Sequence, residues 1–182
     1  MELSPYIYKL LPSFADIGST GMLSGVYELT SFNKGVRAFT LEDGIHYDIA
    51  LTNTGGAVLF SGTASAVARA DCDRCLEDAR LELTGEIEGF AVFDHDAIDP
   101  EAEADEYILV KDRDGAVDLA PMIFAAIILS LPPVVVCKED CAGICPACGA
   151  HLNTETCSCT FDQTSGGHPF EALEALKEIF KN

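Results

Sequence analysis

The chain has 182 residues, 48% of them apolar, enough for one full hydrophobic core with a small appendage, and this excludes a disordered acidic tail. Its 30 acids against 11 bases give a formal net charge of -19. Phosphate binding relies on lysine and arginine displacing counterions, so this balance repels RNA and DNA at long range, excludes DNA as a partner, and suits either a basic protein partner or plain solubility.

The opening stretch MELSPYIYKLLPSF has no basic region followed by an unbroken apolar run and a small-residue cleavage site, so it does not read as a secretory signal. A cytoplasmic location is expected. In that reducing compartment, eight cysteines are better explained by metal than by disulfides.

From about Val26 to Val110 the pattern is that of antiparallel strands. Ile45, Tyr47, Ile49 and Leu51 alternate with His46, Asp48 and Ala50. The preceding VRAFTL is expected to form a hairpin with them through Glu42, Asp43 and Gly44, since Asp-Gly is a strong hairpin signal. A turn at Asn53 to Gly56 leads into AVLFSGTASAVARA, where Gly62 suggests a bulge. Beyond CDRC, Leu81, Leu83, Ile87, Ala91 and Phe93 fall on one face, with Arg80, Glu82, Glu86 and Glu88 on the other. Cys72 and Cys75 therefore sit at a turn between two strands.

Asp94 to Glu106 carries seven acids and no lysine or arginine and reads as a solvated loop, because the spacing and central glycine of a calcium loop are missing. EYILV returns to the sheet. Leu119 to Val136 is uncharged and about as long as a membrane span, but Pro132 and Pro133 end any helix early. A buried helix, capped by Asp118 and with Pro121 tolerated in its first turn, followed by a buried extended strand, is expected instead, with no membrane partner. After the cysteine-rich segment, DQTSGG reads as a joint and HPFEALEALKEIFKN as an amphipathic helix with Phe170, Leu173, Leu176 and Phe180 on one face.

Together these elements predict an α+β fold. It is mainly an antiparallel β-sheet or a partly closed barrel, with one buried helix at about 118–131, all within a β-rich domain over 1–136. A small cysteine-rich zinc module over 137–165 and a C-terminal helix over 166–182 complete the chain.

Six of the eight cysteines fall between Cys137 and Cys159. Zinc takes four tetrahedral ligands, and two cysteines separated by two residues in a tight turn present both thiolates to one ion. Cys145-Pro-Ala-Cys148-Gly149 has this form, and its glycine permits the positive φ that such a turn needs. Cys157 and Cys159 supply the remaining pair of a first site. A structural zinc ion gives small peptides roughly 10 to 16 kcal/mol, against about 2 to 4 for a disulfide, and the region from Ala142 to Thr160 has almost no apolar core of its own. Cys72, Cys75, Cys137 and Cys141 remain to form a second site. One ion whose ligands include Cys141, free thiols at CDRC, an iron-sulfur centre, and His151 in place of a cysteine stay open as alternatives.

A redox role for Cys72 and Cys75 is disfavoured, since no helix N-terminus follows them and Asp71 and Asp73 are expected to raise their pKa. No serine, histidine and acid constellation, phosphate loop or paired carboxylates in an apolar setting is present, so no enzyme and no catalytic residue is expected. Arg69, Arg74 and Arg80 are the basic residues around CDRC, and Arg74 is the candidate for a direct partner or RNA contact.

DCDRC, VDLAPMIFAAIILSLPPVVVC, DCAGICPACGAHLN, CSC and the C-terminal helix together resemble the YceD family of large ribosomal RNA subunit accumulation proteins, over roughly residues 70 to 182. The resemblance implies a non-enzymatic role in large-subunit ribosomal RNA accumulation and ribosome biogenesis. Combined with the net charge, it favours action through a basic ribosomal protein or assembly factor, with ribosomal RNA engaged indirectly. An interaction adaptor unrelated to ribosomes, or a thiol redox or metal-storage protein, are the alternatives.

Overall fold

The protein is seen in a computed structural model that describes residues 5–9, 16–55, 57–92, 107–109 and 116–159. The acidic loop expected over Asp94 to Glu106 and the helix expected over 166–182 lie outside the described residues. In chain order the elements are β1 (Ile7–Lys9), β2 (Thr20–Tyr27), β3 (Ser31–Lys34), β4 (Arg37–Leu41), β5 (Ile45–Asn53), β6 (Ala57–Asp71), β7 (Asp78–Val92), β8 (Tyr107–Leu109), β9 (Ala116–Asp118) and α1 (Ala120–Ser130).

The β6–β7 hairpin is the axis of the sheet. Both strands run for 15 residues in unbroken antiparallel register, from Ala57 opposite Val92 to Asp71 opposite Asp78. Alternating side chains allow this length: Val58, Phe60, Ala64, Ala66, Ala68 and Ala70 of β6 and Ala79, Leu83, Ile87 and Ala91 of β7 are buried on one face. The Cys72–Cys75 segment forms the turn that closes this hairpin, as the alternation predicts.

The expected hairpin between VRAFTL and the Ile45 strand does not form. β4 and β5 instead lie end to end along the same edge of β6, Leu41 opposite Ala68 and His46 opposite Ser65. Five steps of chain on one side face three on the other, so Glu42-Asp43-Gly44 makes a bulge in what is otherwise one long edge. The same left-handed glycine that a hairpin turn would use serves here, with Gly44 at φ 75°. The Glu42 N–H still donates to the Val67 carbonyl at 3.0 Å, which keeps the two strands in line.

Gly62, in turn, is not bulged; its register with Ile49 and Ile87 is continuous. A Cβ there would come within 2.0 Å of the Asp48 carbonyl oxygen, so glycine serves close strand approach. Outside β5 and β4, β2 and β3 form the next row, and β8 pairs with β7 in parallel. Among the described residues the result is an open, mostly antiparallel sheet with one helix, not a closed barrel.

One face of the sheet carries α1. Ala120, Met122, Ile123, Ala126 and Ile127 are buried against it, and Phe124 meets Phe32 edge-on at 5.4 Å. The helix starts one residue later than expected, yet Asp118 still serves its first turn. Its Oδ1 accepts from the Ala120 N–H at 3.1 Å and from the Tyr6 N–H at 2.8 Å, which ties the helix start to β1, the partner of β9. Leu131 is extended just ahead of Pro132, as a residue before proline prefers, and the helix stops there. No helix among the described residues is long and apolar enough to cross a membrane. The segment after α1 is not the expected buried strand. It bends, burying Val135 while Pro133 and Val134 stay exposed, because consecutive prolines remove the N–H groups a ladder needs.

α1 approaches the sheet closely at Gly85 of β7, where a Cβ would fall 2.0 Å from the Ala126 carbonyl oxygen; at Gly89 the nearest atom is the flexible end of Met122, at 3.4 Å. Gly85→Ala should therefore destabilise the fold by about 1–3 kcal/mol, whereas Gly89→Ala should change it by no more than about 0.5 kcal/mol. Urea unfolding of the two variants at equal metal content checks this contrast.

Candidate metal centre

The eight cysteines fall into two groups of four: Cys72, Cys75, Cys137 and Cys141, and Cys145, Cys148, Cys157 and Cys159. Within each group the sulfur atoms lie within 4.8 Å of one another. The first, inner tetrad joins distant parts of the chain. The β6–β7 hairpin delivers Cys72 and Cys75 at its tip, and the segment leaving α1 delivers Cys137 and Cys141. Cys72 Sγ stands 3.9 Å from Cys141 Sγ, and Cys75 Sγ stands 3.6 Å from Cys137 Sγ. A tetrahedral ion with sulfur ligands at ~2.3 Å needs sulfur-to-sulfur edges of ~3.8 Å, so the spacing fits one metal ion. Cys72, Cys75 and Cys141 are buried.

Asp73 and Arg74, the two residues between Cys72 and Cys75, bind the hairpin tip to the post-helix segment. The Asp73 N–H donates to the Val135 carbonyl at 2.8 Å, and Asp73 Oδ2 accepts from the Val135 N–H at 2.7 Å. Its other oxygen pairs with Arg37. The Arg74 guanidinium donates to the Cys141 carbonyl at 3.0 Å, and the Arg74 carbonyl accepts from the Ile144 N–H at 3.2 Å.

In the outer tetrad, Cys157 Sγ lies 3.3 Å from Cys145 Sγ, and Cys148 and Cys159 are exposed. The two CxxC turns share one geometry. Gly149 N–H donates to the Cys145 carbonyl at 2.8 Å and Leu76 N–H to the Cys72 carbonyl at 2.9 Å, each from a residue with positive φ, 76° at Gly149 and 64° at Leu76.

The thiols of each group are driven apart in acidity. Burial pushes the Cys72 thiol up, but the Arg74 N–H on its sulfur and other backbone amides outweigh this and bring it down to about 6. Cys137 is pushed up to about 12 by burial and the neighbouring sulfurs. Outside, the Cys148 and Ala147 N–H groups draw Cys145 down to about 6, while the Cys148 and Cys157 sulfurs push Cys159 up to about 12. Sulfurs this close hold one another's protons in place until a cation offsets their charge.

The structure thus assembles both cysteine sets named from the sequence, and Gly149 has the expected positive φ. The expectation that Asp71 and Asp73 raise the Cys72 thiol is not met, because the Asp73 carboxylate is turned to Val135 and Arg37 while N–H groups face the sulfur. The Cys72 side chain has no exposed surface and its sulfur faces the other three of the group. His151 stays outside both tetrads, its Nε2 3.7 Å from Glu77 Oε1. The candidate contact residue Arg74 is engaged by the Cys141 carbonyl, Arg69 by Glu42 and Asp78, and Arg80 by Glu82.

Sequence reasoning missed Asn153, whose Nδ2 donates to Cys141 Sγ at 3.3 Å, and the tethering role of Asp73. Asn153 closes the DCAGICPACGAHLN stretch that carries the family resemblance, but its spacing from Cys145 does not point to a sulfur partner. Leucine in the left-handed region costs about 1 kcal/mol or more, and Leu76 is 67% exposed, so little burial is at stake. Leu76→Gly should raise stability by about 0.5–1 kcal/mol with metal content unchanged, measured by denaturant unfolding of the metal-loaded protein.

Comparison with known proteins places these features in a family. The model described as large ribosomal RNA subunit accumulation protein YceD matches residues 60–177. An uncharacterised protein of Mycobacterium bovis is 31% identical over 152 residues, covering 79% of this chain and 72% of that protein, and one of Mycobacterium tuberculosis has the same figures. An uncharacterised protein of Mycobacterium leprae is 27% identical over 168 residues, covering 92% of this chain and 65% of its own length. No solved structure matches the chain. With a family model spanning more than half its length, from the middle of the sheet through both cysteine tetrads, the chain belongs to the YceD family of large ribosomal RNA subunit accumulation proteins.

Proposed function

We propose that this chain is a non-enzymatic, zinc-binding protein that supports accumulation of large-subunit ribosomal RNA, and hence ribosome biogenesis, by binding a basic ribosomal protein or large-subunit assembly factor. The observation that carries the reading is the pair of four-sulfur clusters in a chain of this family. Four thiolates suit zinc, which has no geometric demand beyond four close ligands and no redox chemistry to manage. Cys72, Cys75, Cys137 and Cys141 hold one ion; Cys145, Cys148, Cys157 and Cys159 hold the other. The ions supply attachment, since a site closed by four sulfurs leaves no position for water or substrate. A reducing compartment, the cytoplasm, suits such thiolates.

Charge supports a protein partner over direct RNA binding. The sheet face opposite α1 exposes Asp48, Glu82, Glu86 and Glu88 around the small side chains Ser61, Thr63 and Ser65, with Asp48 and Glu86 flanking Thr63 in register. Arg69 and Arg80 are paired with carboxylates, so little basic charge is free there to displace counterions from phosphate.

Metal analysis of protein purified under reducing conditions should give two zinc ions per chain; substantial iron, or exchange of more ions than two sites can fix, would favour the iron-sulfur or storage alternative. Cys72→Ser should lower the melting temperature by more than about 10 °C, because it opens a site at the hairpin tip, while Cys159→Ser should release one ion and lower it by less than Cys72→Ser does. Cells lacking the gene should show a shortage of large subunits in ribosome profiles, and the purified protein should retain a basic large-subunit protein at physiological salt. Tight binding of naked ribosomal RNA without any such protein would sink the partner assignment.

A further inference from the structure

We infer that Asn153 couples the two metal centres, because its side-chain amide is carried on the loop of the outer tetrad and donates to a sulfur of the inner one. Asn153 lies between Cys148 and Cys157, yet its Nδ2 reaches Cys141 Sγ at 3.3 Å and its Oδ1 accepts from the Ala142 N–H at 2.9 Å. The amide thus grips the Cys141 strand at two adjacent points. Only a side chain with a donor and an acceptor at fixed separation can do both.

What holds Asn153 in place is the outer loop, which buries little of its own surface. Among residues 142–159 only Gly143 and Cys145 are buried. The remaining ties include backbone hydrogen bonds such as Cys145 N–H to the Ala150 carbonyl and Leu152 N–H to the Gly143 carbonyl, at 2.8 and 2.9 Å, the His151 N–H on Glu155 Oε2 at 3.0 Å, and His151 Nε2 at 3.7 Å from Glu77 Oε1. An ion on Cys145, Cys148, Cys157 and Cys159 clamps the loop at both ends and so presents the amide to Cys141. Loading the outer centre therefore strengthens the inner one, and by linkage the inner ion favours loading of the outer. This role rests on the reading that both tetrads bind metal.

The test uses the full-length chain loaded with cadmium-113, with the two centres followed by cadmium NMR and their affinities by chelator competition. Cys157→Ser/Cys159→Ser, which removes the outer centre, identifies the inner resonance. Asn153→Asp keeps the acceptor for Ala142 but loses the N–H donor, and Asn153→Ala loses both without adding charge. Both should shift the inner resonance, leave the outer one in place, and weaken the inner centre about 10- to 100-fold.

The outer-site variant should weaken the inner centre too, and adding Asn153→Ala to it should cause little further loss, because the amide is already untethered. Unchanged inner affinity in Asn153→Ala, a loss confined to Asn153→Asp, or fully additive losses would overturn the coupling. A wild-type chain that takes up no cadmium at the tetrads would instead overturn the metal reading itself.

Discussion

Four thiols confined within 4.8 Å of one another cannot all ionise unless something positive sits among them. That constraint governs both cysteine clusters, the inner of which lies in the hydrophobic core itself, where Cys72, Cys75 and Cys141 are buried. In each tetrad one thiol is drawn down to about 6 and another is pushed up to about 12, so a metal-free cluster keeps protons it must lose before it can close. The sheet and α1 are built by ordinary apolar burial. The segment from Ala142 to Cys159 is not: only Gly143 and Cys145 in it are buried, local hydrogen bonds tie it together, and an ion on its four sulfurs would add the larger attachment.

The two tetrads use one turn in two settings. Each CxxC closes with an N–H from the residue after the second cysteine, and each needs positive φ there. At the outer turn the residue is Gly149, which meets the demand freely. At the inner turn it is Leu76, held in that conformation by a 15-residue hairpin whose last pair is Asp71 with Asp78. The hairpin positions Cys72 and Cys75, and Asp73 brings the post-helix segment to within reach through Val135. The inner centre is thus assembled from rigid parts, while the outer one must organise its own loop.

Much of this was legible in the sequence, for identifiable reasons. Alternation along Leu81 to Ala91 located β7 and its buried face, and cysteine count and spacing picked out Cys145, Cys148, Cys157 and Cys159 and offered the other four as one of several schemes; the structure brings both groups together. What failed was pairing order. Asp43-Gly44 announces a left-handed glycine, and a bulge needs one as much as a hairpin does, so the local signal could not tell whether β4 turns back on β5 or continues along β6. Gly62 was ambiguous in the same way, since a bulge and a close strand crossing both exclude a Cβ. Asn153 was invisible because its meaning lies in a sulfur twelve residues upstream.

The charge of the molecule bears on how a protein of this family would act on ribosomal RNA. Net charge repels polyphosphate at a distance, and locally Arg69, Arg74 and Arg80, which in sequence look like a basic patch around CDRC, are each engaged within the chain: two by carboxylates and one by the Cys141 carbonyl. Freeing any of them for phosphate would break a contact that holds the hairpin tip or its surroundings. Two tetrathiolate zinc centres would add negative charge at that same end. An acidic sheet face with small central side chains offers lysine and arginine of a partner both attraction and room. On the proposed reading, a basic ribosomal protein held on this face would connect the chain to ribosomal RNA without direct contact between them.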